Sequence, residues 1–218
     1  NAPANWPIER KKYVWVTRPN PGPHQLKRCL SLNMLLKNVL KYARTSREVK
    51  VILNSGEVLI NNKPVKDDKF PVGIMDNIEI KKTNEHFMLI INEYNKYELK
   101  KINKENSKIK PCKIINKTIL KKGKTQLNLF DGRNIIVNNS DYKVGDTILI
   151  DVEKNKIVDH IKLGKGSTIY IMYGKYIGYI GQLQDVVLED GMKSNKIVFT
   201  KDKEKIETLK DYAFAIPE

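Results

Sequence analysis

The sequence has few of the residues that build disulfide scaffolds and metal sites. Its 218 residues include only two cysteines, Cys29 and Cys112, which are far apart and form no C-x-x-C motif. The three histidines, His24, His86 and His160, are equally dispersed, with no cysteine or carboxylate cluster at zinc-ligand spacing beside them. We therefore predict two free, buried thiols in a reducing compartment and no bound metal.

Long apolar runs and nucleotide-binding motifs are also missing. No apolar stretch approaches the roughly 18–20 residues of a membrane-spanning helix. The segment GKGST, which begins at Gly164, lacks the P-loop spacing, and Gly174, Gly178 and Gly181 do not form G-x-G-x-x-G at the start of a helix. These absences predict a protein with no cofactor, no small-molecule substrate and no membrane partner.

Acidic residues are scarce relative to basic ones. The chain has 40 lysines and arginines against 25 acidic residues, a net charge of +15. Residues 1–50 hold 11 of the basic residues and 2 of the acidic ones, so the excess is concentrated at one end. A concentrated basic surface favours a polyanionic partner, and nucleic acid is the commonest one. An anionic membrane is the competitor, which we do not expect because the one strongly amphipathic helix, described below, belongs to a module with its own sheet.

The first 22 residues contain four prolines, which exclude a regular helix. Two tryptophans, Trp6 and Trp15, stand among basic residues in this segment. Each indole can either pack on the protein or stack on an RNA base while neighbouring cations meet phosphate. The sequence leaves both interpretations open for each ring.

Two helices are predicted next. The first carries apolar residues at i, i+3, i+4, i+7, i+8 and i+11, and polar residues on the opposite side. The apolar set is Leu32, Leu35, Leu36, Val39, Leu40 and Ala43, and the outward set is Asn33, Lys37, Asn38, Lys41 and Arg44. Thr45 and Glu48 form a capping box that starts the second helix, and Gly56 is its expected stop. That helix has an apolar stripe of Val49, Ile52 and Leu53.

Short strands are predicted from residue 57 onward. Val58 and Ile60 lead into Asn61-Asn62, which tolerate the positive φ of a two-residue turn, and Pro64 indicates an edge strand. A third alternating strand closes this region near Ile80. Further on, FMLII, YELKKI, PCKIINKTIL, TQLNLF, NIIVNNS and DTILIDV predict a sheet or barrel, with residues 100–110 forming a polar loop.

The segment that begins at Gly166 alternates in a strand and then places glycines at 174, 178 and 181. It resembles the KOW motif of ribosomal proteins and elongation factors, in which a glycine-bearing loop presents backbone to RNA. Glycine allows positive φ and close approach to a phosphate backbone. The resemblance implies that Tyr173, Lys175 and Tyr176 meet RNA.

The stretch from helix through capped helix to VLINNKPV and PVGIMDNIEI is similar to the alpha-L RNA-binding module of the archaeal–eukaryotic small-subunit ribosomal protein four family. RPNPGPHQLKRCLSL, LLKNVLKYARTSREV and KVGDTILIDVEKNKIVDHIKLGKGS are similar to that family's own sequence. The resemblance implies a structural constituent of the small (40S) ribosomal subunit that binds ribosomal RNA without catalysis, beside neighbouring ribosomal proteins. It also implies a cytoplasmic location, with assembly beginning in the nucleolus.

Two rivals remain at this point. Pseudouridine synthases carry the same module, but they need a catalytic aspartate in an Arg-Leu-Asp context and a larger domain, neither of which we find. A transcription or translation factor built around the KOW segment leaves residues 1–80 unexplained. We therefore expect a structural RNA-binding protein and no enzyme.

The predicted fold is α+β and mostly β, in four parts: a basic N-terminal arm (1–28), an alpha-L module (29–82), a central β domain (83–164) and a KOW-type SH3-like barrel (165–218). The candidate RNA-binding residues come from the arm, the helices and the glycine-bearing loop. They are Arg10, Lys11, Lys12, Arg18, Lys27, Arg28, Lys37, Lys41, Arg44, Arg47, Lys50, Tyr173, Lys175 and Tyr176.

Overall fold

The computed structural model describes residues 2–9, 11, 14–138, 141–187, 194–201 and 204–217, without the side chain of Lys122. The fold is mostly β with few helices, as predicted. The chain forms two compact units. The first unit comprises Asn1–Ile91, Asn95–Lys110 and Asp151–Asn155, and the second comprises Asn92–Tyr94, Pro111–Ile150 and Lys156–Glu218.

The first unit opens with strand β1 (Cys29–Ser31), which leads directly into helix α1 (Leu32–Met34). The Ser31 hydroxyl accepts a hydrogen bond from the Met34 amide at 3.3 Å and so caps this helix. From Leu35 to Val39 the helix continues with π-helical hydrogen bonds, and the Leu40 amide donates to the Leu35 carbonyl at 2.9 Å. The predicted α-helical period therefore stops early, and Lys41 leaves the helix with a φ of 58°.

Asn33 does not face outward, which corrects the prediction. Its side chain is buried, and its Nδ2 donates to the Asp68 carboxylate at 2.9 Å. The Asn33 backbone amide also donates to the Asp68 carbonyl at 2.8 Å. The buried Asn33 amide thus finds its partner in a partly buried carboxylate that lies 35 residues away in the sequence, which helical periodicity cannot reveal.

Helix α2 (Ser46–Asn54) begins with the predicted capping box. The Glu48 amide donates to the Thr45 hydroxyl at 3.3 Å. The Glu48 carboxylate accepts from the Arg44 amide at 2.8 Å and from the Thr45 hydroxyl at 3.0 Å, and these bonds lower the pKa of Glu48. Gly56 follows the helix with a φ of 73°, which confirms it as the stop.

A five-stranded sheet lies in the first unit, in the order β3-β2-β5-β6-β7. Strands β2 (Val58–Ile60) and β3 (Lys63–Pro64) form the predicted hairpin, with φ values of 50° and 61° at Asn61 and Asn62. Strand β3 is an edge strand, as its proline indicated. Strand β4 (Pro71–Gly73) pairs with β1 outside this sheet.

The sheet continues through β5 (Asn77–Ile80), β6 (Glu85–Ile91) and β7 (Tyr97–Lys101), each antiparallel to the one before. It thus crosses residue 82, where the alpha-L module was expected to end; the four-part division of the chain stays a prediction. The predicted loop over 100–110 is wrong, because β7 runs to Lys101 and helix α3 (Lys104–Ser107) follows.

The second unit contains two five-stranded sheets. The first has the order β10-β9-β8-β11-β12. Its strands are β8 (Ile109–Ile119), β9 (Thr125–Leu129), β10 (Asn134–Val137), β11 (Thr147–Asp151) and β12 (Lys156–Ile161). A compact core lies on one face of it, formed by Cys112, Ile114, Leu127, Leu129, Ile148 and Ile150.

The other sheet of the second unit has the order β16-β15-β14-β13-β17. Its strands are β13 (Thr168–Ile171), β14 (Ile180–Val187), β15 (Lys196–Lys201), β16 (Glu204–Leu209) and β17 (Ala213–Ala215). Its core includes Ile169, Leu183 and Phe199. Buried Lys113 joins the two sheets, since its ammonium donates to the carbonyls of Asp211 at 2.8 Å and Ala213 at 2.6 Å.

Cys29 and Cys112 are both buried thiols outside any disulfide, as predicted, whereas the reducing compartment stays a prediction. Burial, and then the nearby Asp76 carboxylate, raises the pKa of the Cys29 thiol to about 11. Within the ranges given above, no helix is long and apolar enough to cross a membrane. The same residues contain no group of three or more His, Cys, Asp or Glu side chains arranged to hold a metal ion.

Candidate nucleic-acid interface

The N-terminal arm is fixed to the module by a buried polar network around Asp76. The Asp76 carboxylate lies 2.9 Å from His24 Nε2 and 2.6 Å from Lys110 Nζ. It also accepts hydrogen bonds from Asn61 Nδ2 at 2.9 Å and from the Gly73 amide at 2.7 Å. Within the first unit, a single carboxylate thereby ties together the arm, the hairpin turn, β4 and Lys110, the last residue of its segment Asn95–Lys110.

This environment determines the protonation of Asp76. Burial by itself raises the pKa of a carboxyl, but the Lys110 ammonium, the His24 ring and the Asn61 amide oppose it and lower the pKa of Asp76 overall. The side chain is therefore ionised at neutral pH. An ionised carboxylate surrounded by donors holds the arm in one position.

Trp6 gives the arm a second anchor. Its side chain is 3% exposed, and its indole Nε1 donates to the Cys29 carbonyl at 2.9 Å. Lys96 donates to the Ala4 carbonyl at 2.7 Å. Further along, the Asn20 amide donates to the Lys69 carbonyl at 2.8 Å. Of the two interpretations left open for this tryptophan, packing on the protein is the correct one.

Trp15 differs from Trp6, because its side chain is 90% exposed. It lies at the rim of a groove of about 460 Å³ between the arm, α1, α2 and the loop before β4. Four basic side chains line this groove: Arg18, Lys37, Lys50 and Lys69. We call it the arm groove; its other lining residues are Ile8, Val16, Thr17, Asn33, Met34, Asn38, Ser46 and Asp68.

The charge of the arm groove is strongly positive. Asp68 is the one acidic residue among the lining residues, and its carboxylate already accepts from Asn33 Nδ2. Among described residues, none of the four basic side chains of the groove lies within ion-pair distance of a carboxylate. Unneutralised cations that converge on a concave surface are suited to bind a polyanion.

The structure places the predicted site residues as follows. Lys11, Arg18, Lys27, Lys41, Arg44, Arg47, Lys50 and Lys175 are exposed, whereas Arg28, Lys37, Tyr173 and Tyr176 are partly buried. Arg10 and Lys12 lie outside the described residues. The arm groove brings together Arg18, Lys37 and Lys50.

Sequence reasoning missed Lys69 as a groove residue. It stands between Asp68 and Phe70 in a loop with no helical period, so no sequence pattern linked it to the basic helices. A usable signal was the preceding pair Asp67-Asp68, whose carboxylates bind Asn20 and Asn33 and thereby fold this loop against the arm and α1.

The glycine-bearing loop of the second unit makes protein contacts. Gly174 and Gly178 have φ values of 86° and 82°. A Cβ on Gly178 would lie 2.4 Å from the carbonyl carbon of Asn92, so this glycine permits close approach to protein backbone rather than to phosphate. Tyr176 packs edge-on against Phe199, while the exposed Lys175 ammonium lies 5.4 Å from the Tyr176 ring.

An arm pinned to a module of two helices and a small sheet, with unneutralised cations in between, defines an RNA-binding protein of the alpha-L class. Comparison with known families agrees: residues 32–78 match the S4 domain, residues 1–27 the RS4NT (NUC023) domain, and residues 83–157 the ribosomal family S4e. The chain belongs to the S4e family of ribosomal proteins, which are structural constituents of the small subunit.

Individual relatives support this assignment over nearly the whole chain. The chain is 40% identical to small ribosomal subunit protein eS4 of Methanosphaera stadtmanae, over 99% of this chain and 89% of that one. It is 37% identical to the eS4 protein of Methanothermobacter thermautotrophicus, with the same coverage. The crystal structure of the 30S ribosomal protein S4e from Thermoplasma acidophilum superposes with a TM-score of 0.76, at 32% identity, over 87% of this chain and 95% of that one. All three relatives are named as ribosomal proteins of the small subunit.

Proposed function

We propose that this protein binds and stabilises the ribosomal RNA of the small subunit without catalysis, and that the arm groove is a principal contact. The observation that supports this most strongly is the convergence of Arg18, Lys37, Lys50 and Lys69 in one concave surface. Lysine and arginine side chains that meet phosphates release counterions, which supplies most of the affinity of such proteins for RNA.

The remaining candidate residues extend this contact. Lys41, Arg44 and Arg47 are exposed where α1 ends and α2 begins, and Lys11 and Lys27 are exposed on the arm. The last sheet is assigned to a KOW-type SH3-like barrel, supported by its five antiparallel strands and its positive-φ glycines. Of the three candidate residues in its glycine-bearing loop, Lys175 is exposed to reach RNA, and Tyr173 and Tyr176 beside it are partly buried.

Neighbouring ribosomal proteins complete the list of proposed partners, by analogy with the archaeal relatives named for the small subunit. Because the protein is a constituent of the ribosome, its location is the cytoplasm. A start of assembly in the nucleolus stays a prediction.

A charge-reversal experiment tests the arm groove. The variant Arg18→Glu/Lys37→Glu/Lys50→Glu replaces three groove cations, and we expect its free energy of unfolding to stay within about 1 kcal/mol of wild type, as for most surface changes. Its affinity for purified small-subunit ribosomal RNA should fall steeply, because three anions now face phosphate. In sedimentation profiles the variant should be missing from assembled small subunits.

The matched control is Lys81→Glu/Lys82→Glu/Lys104→Glu. It makes the same change in net charge at three exposed lysines of the first unit that do not line the groove. We expect the control to bind RNA with a smaller loss and to enter small subunits. Incorporation of the groove variant at the level of the control would exclude the arm groove as a contact.

A further inference from the structure

The two tryptophans of the chain have opposite environments. Trp6 is 3% exposed and hydrogen-bonded, whereas Trp15 is 90% exposed. An exposed indole forgoes the stabilisation that burial of so large an apolar side chain provides. Aromatic rings beside a positively charged groove are the arrangement on which single-stranded nucleic acids stack their bases. The exposed Trp15 ring is therefore suited to contact a ligand bound in the arm groove.

We infer that the arm groove binds an unpaired RNA nucleotide whose base stacks on the Trp15 indole while Arg18, Lys37, Lys50 and Lys69 meet the flanking phosphates. This inference rests on the proposed RNA binding and specifies the kind of RNA. The groove volume of about 460 Å³ lies within the range of about 300–1,000 Å³ that is usual for small-molecule sites.

The choice of an unpaired nucleotide follows from which surfaces RNA exposes. In an A-form duplex each base face is covered by its stacked neighbours, so an indole can meet only sugars and phosphates. A bulged or single-stranded base exposes its face and can stack on an aromatic ring. A duplex needs only the four cations of the groove, whereas an unpaired base also uses Trp15.

Uncharged polar groups in the same groove suit a base edge. The Thr17 hydroxyl and the Asn38 amide line the groove. Amide and hydroxyl side chains can both donate hydrogen bonds to a base edge and accept them from it, whereas a cation attracts phosphate whatever the base. Asp68 keeps its negative charge when it accepts the hydrogen bond from Asn33, but the four basic residues of the lining outnumber it.

Binding assays with three RNA probes test the inference. The probes are a 12-nucleotide single strand with 2-aminopurine at its centre, the same strand annealed to its full complement, and a duplex in which 2-aminopurine is the bulged base. For Trp15→Leu we expect a loss of about 5- to 150-fold in affinity for the single-stranded and bulged probes, the range found for one base–aromatic stack. Affinity for the full duplex should change by less than about twofold.

Fluorescence supplies a second readout that does not depend on affinity. Because the chain has two tryptophans, Trp15→Phe leaves Trp6 as the only indole. We expect the single-stranded probe to quench the tryptophan emission of the wild-type protein and to leave that of Trp15→Phe unchanged. Equal quenching in both proteins would overturn the inference.

The outcomes separate this inference from the proposed function. If Trp15→Leu binds all three probes like wild type while the groove charge variant loses them, stacking is excluded and the RNA-binding groove stands. If neither variant changes binding, both proposals fail. A loss confined to the unpaired probes, together with quenching that requires Trp15, supports the inference.

Discussion

The Lys110 ammonium lies 2.6 Å from the Asp76 carboxylate, and both side chains are almost completely buried. They are 34 residues apart in the sequence and lie on β8 and in the turn before β5. Removing one partner of a buried ion pair leaves the other charge without compensation.

We predict that Lys110→Met lowers the free energy of unfolding by about 3–5 kcal/mol, the usual effect of breaking a buried pair. Lys108→Met is the control, because Lys108 lies in an exposed ion pair, 3.6 Å from Glu153, whose loss costs at most about 1 kcal/mol. Urea unfolding of the two variants measures both values. A loss below 1 kcal/mol for Lys110→Met would show that the buried network does not stabilise the fold.

Acid should weaken the fold through Asp76. Its pKa is lowered in the folded state from the ordinary value of 3.8, so its stabilising contribution is complete above that value and declines as the pH falls below it. The difference in stability between wild type and Asp76→Asn should therefore shrink by up to about 1.4 kcal/mol per pH unit below 3.8. Unfolding curves at pH 6, 4 and 3 provide the test, and a constant difference would contradict it.

A separate prediction concerns the buried side of the π-helical segment Leu35–Val39 that follows α1. Leu36 is completely buried, and Leu36→Ala should cost about 2–5 kcal/mol because it opens a cavity. Val51 on α2 is 71% exposed, so Val51→Ala should change the stability by less than about 0.5 kcal/mol. Thermal denaturation of the two variants measures both changes in stability. Similar effects at the two positions would mean that the burial of Leu36 does not determine its contribution.

Substitutions at two glycines distinguish the energetic cost of backbone strain from the cost of a steric clash. Gly166 has a φ of 85° with no atom near its Cβ position, so Gly166→Ala should cost only about 1–2 kcal/mol for the left-handed conformation. Gly178 has a similar φ, but its Cβ would lie 2.4 Å from Asn92 backbone. We expect Gly178→Ala to cost about 1–3 kcal/mol more. Equal losses in a melting experiment would argue against this close approach.

RNA binding should depend steeply on salt. If roughly six phosphates are neutralised, the logarithm of the binding constant should fall with the logarithm of salt concentration at a slope of about −4 to −5. The groove charge variant, which removes three of the cations, should show a slope shallower by about two to three. Filter-binding titrations measure both slopes, and a slope near zero for wild type would refute an electrostatic contact.

Local signals in the sequence predicted much of the first unit. The Thr45–Glu48 capping box and the Asn61-Asn62 turn depend on residues within a few positions of each other, so the pattern alone determines them. The burial of Asn33 and of Lys110 depends on carboxylates 35 and 34 residues away. Composition marks such side chains as exposed, and only the folded chain shows their partners.

In the candidate site too, some features could be predicted from the sequence and others depend on residues that only the folded chain brings together. The charge pattern predicted the basic residues of the arm and helices. Their convergence in the arm groove depends on how the arm lies against α1. Trp6 and Trp15 have similar sequence surroundings, and only tertiary structure shows that one is an anchor and the other is exposed. Lys69 lines the arm groove because Asp67 and Asp68 fold its loop against the arm and α1.

The extension of the first sheet by β6 and β7 bears on how far a fragment of the first unit must reach in order to fold. A fragment that stops at Lys82 keeps the complete S4 match but leaves β5 as a bare edge strand, which invites pairing with other chains. It also lacks Lys110, so Asp76 loses its buried cation. We therefore expect the stretch that sequence comparison delimits as a module to be too short to fold alone, and a stable fragment to extend at least to Lys110.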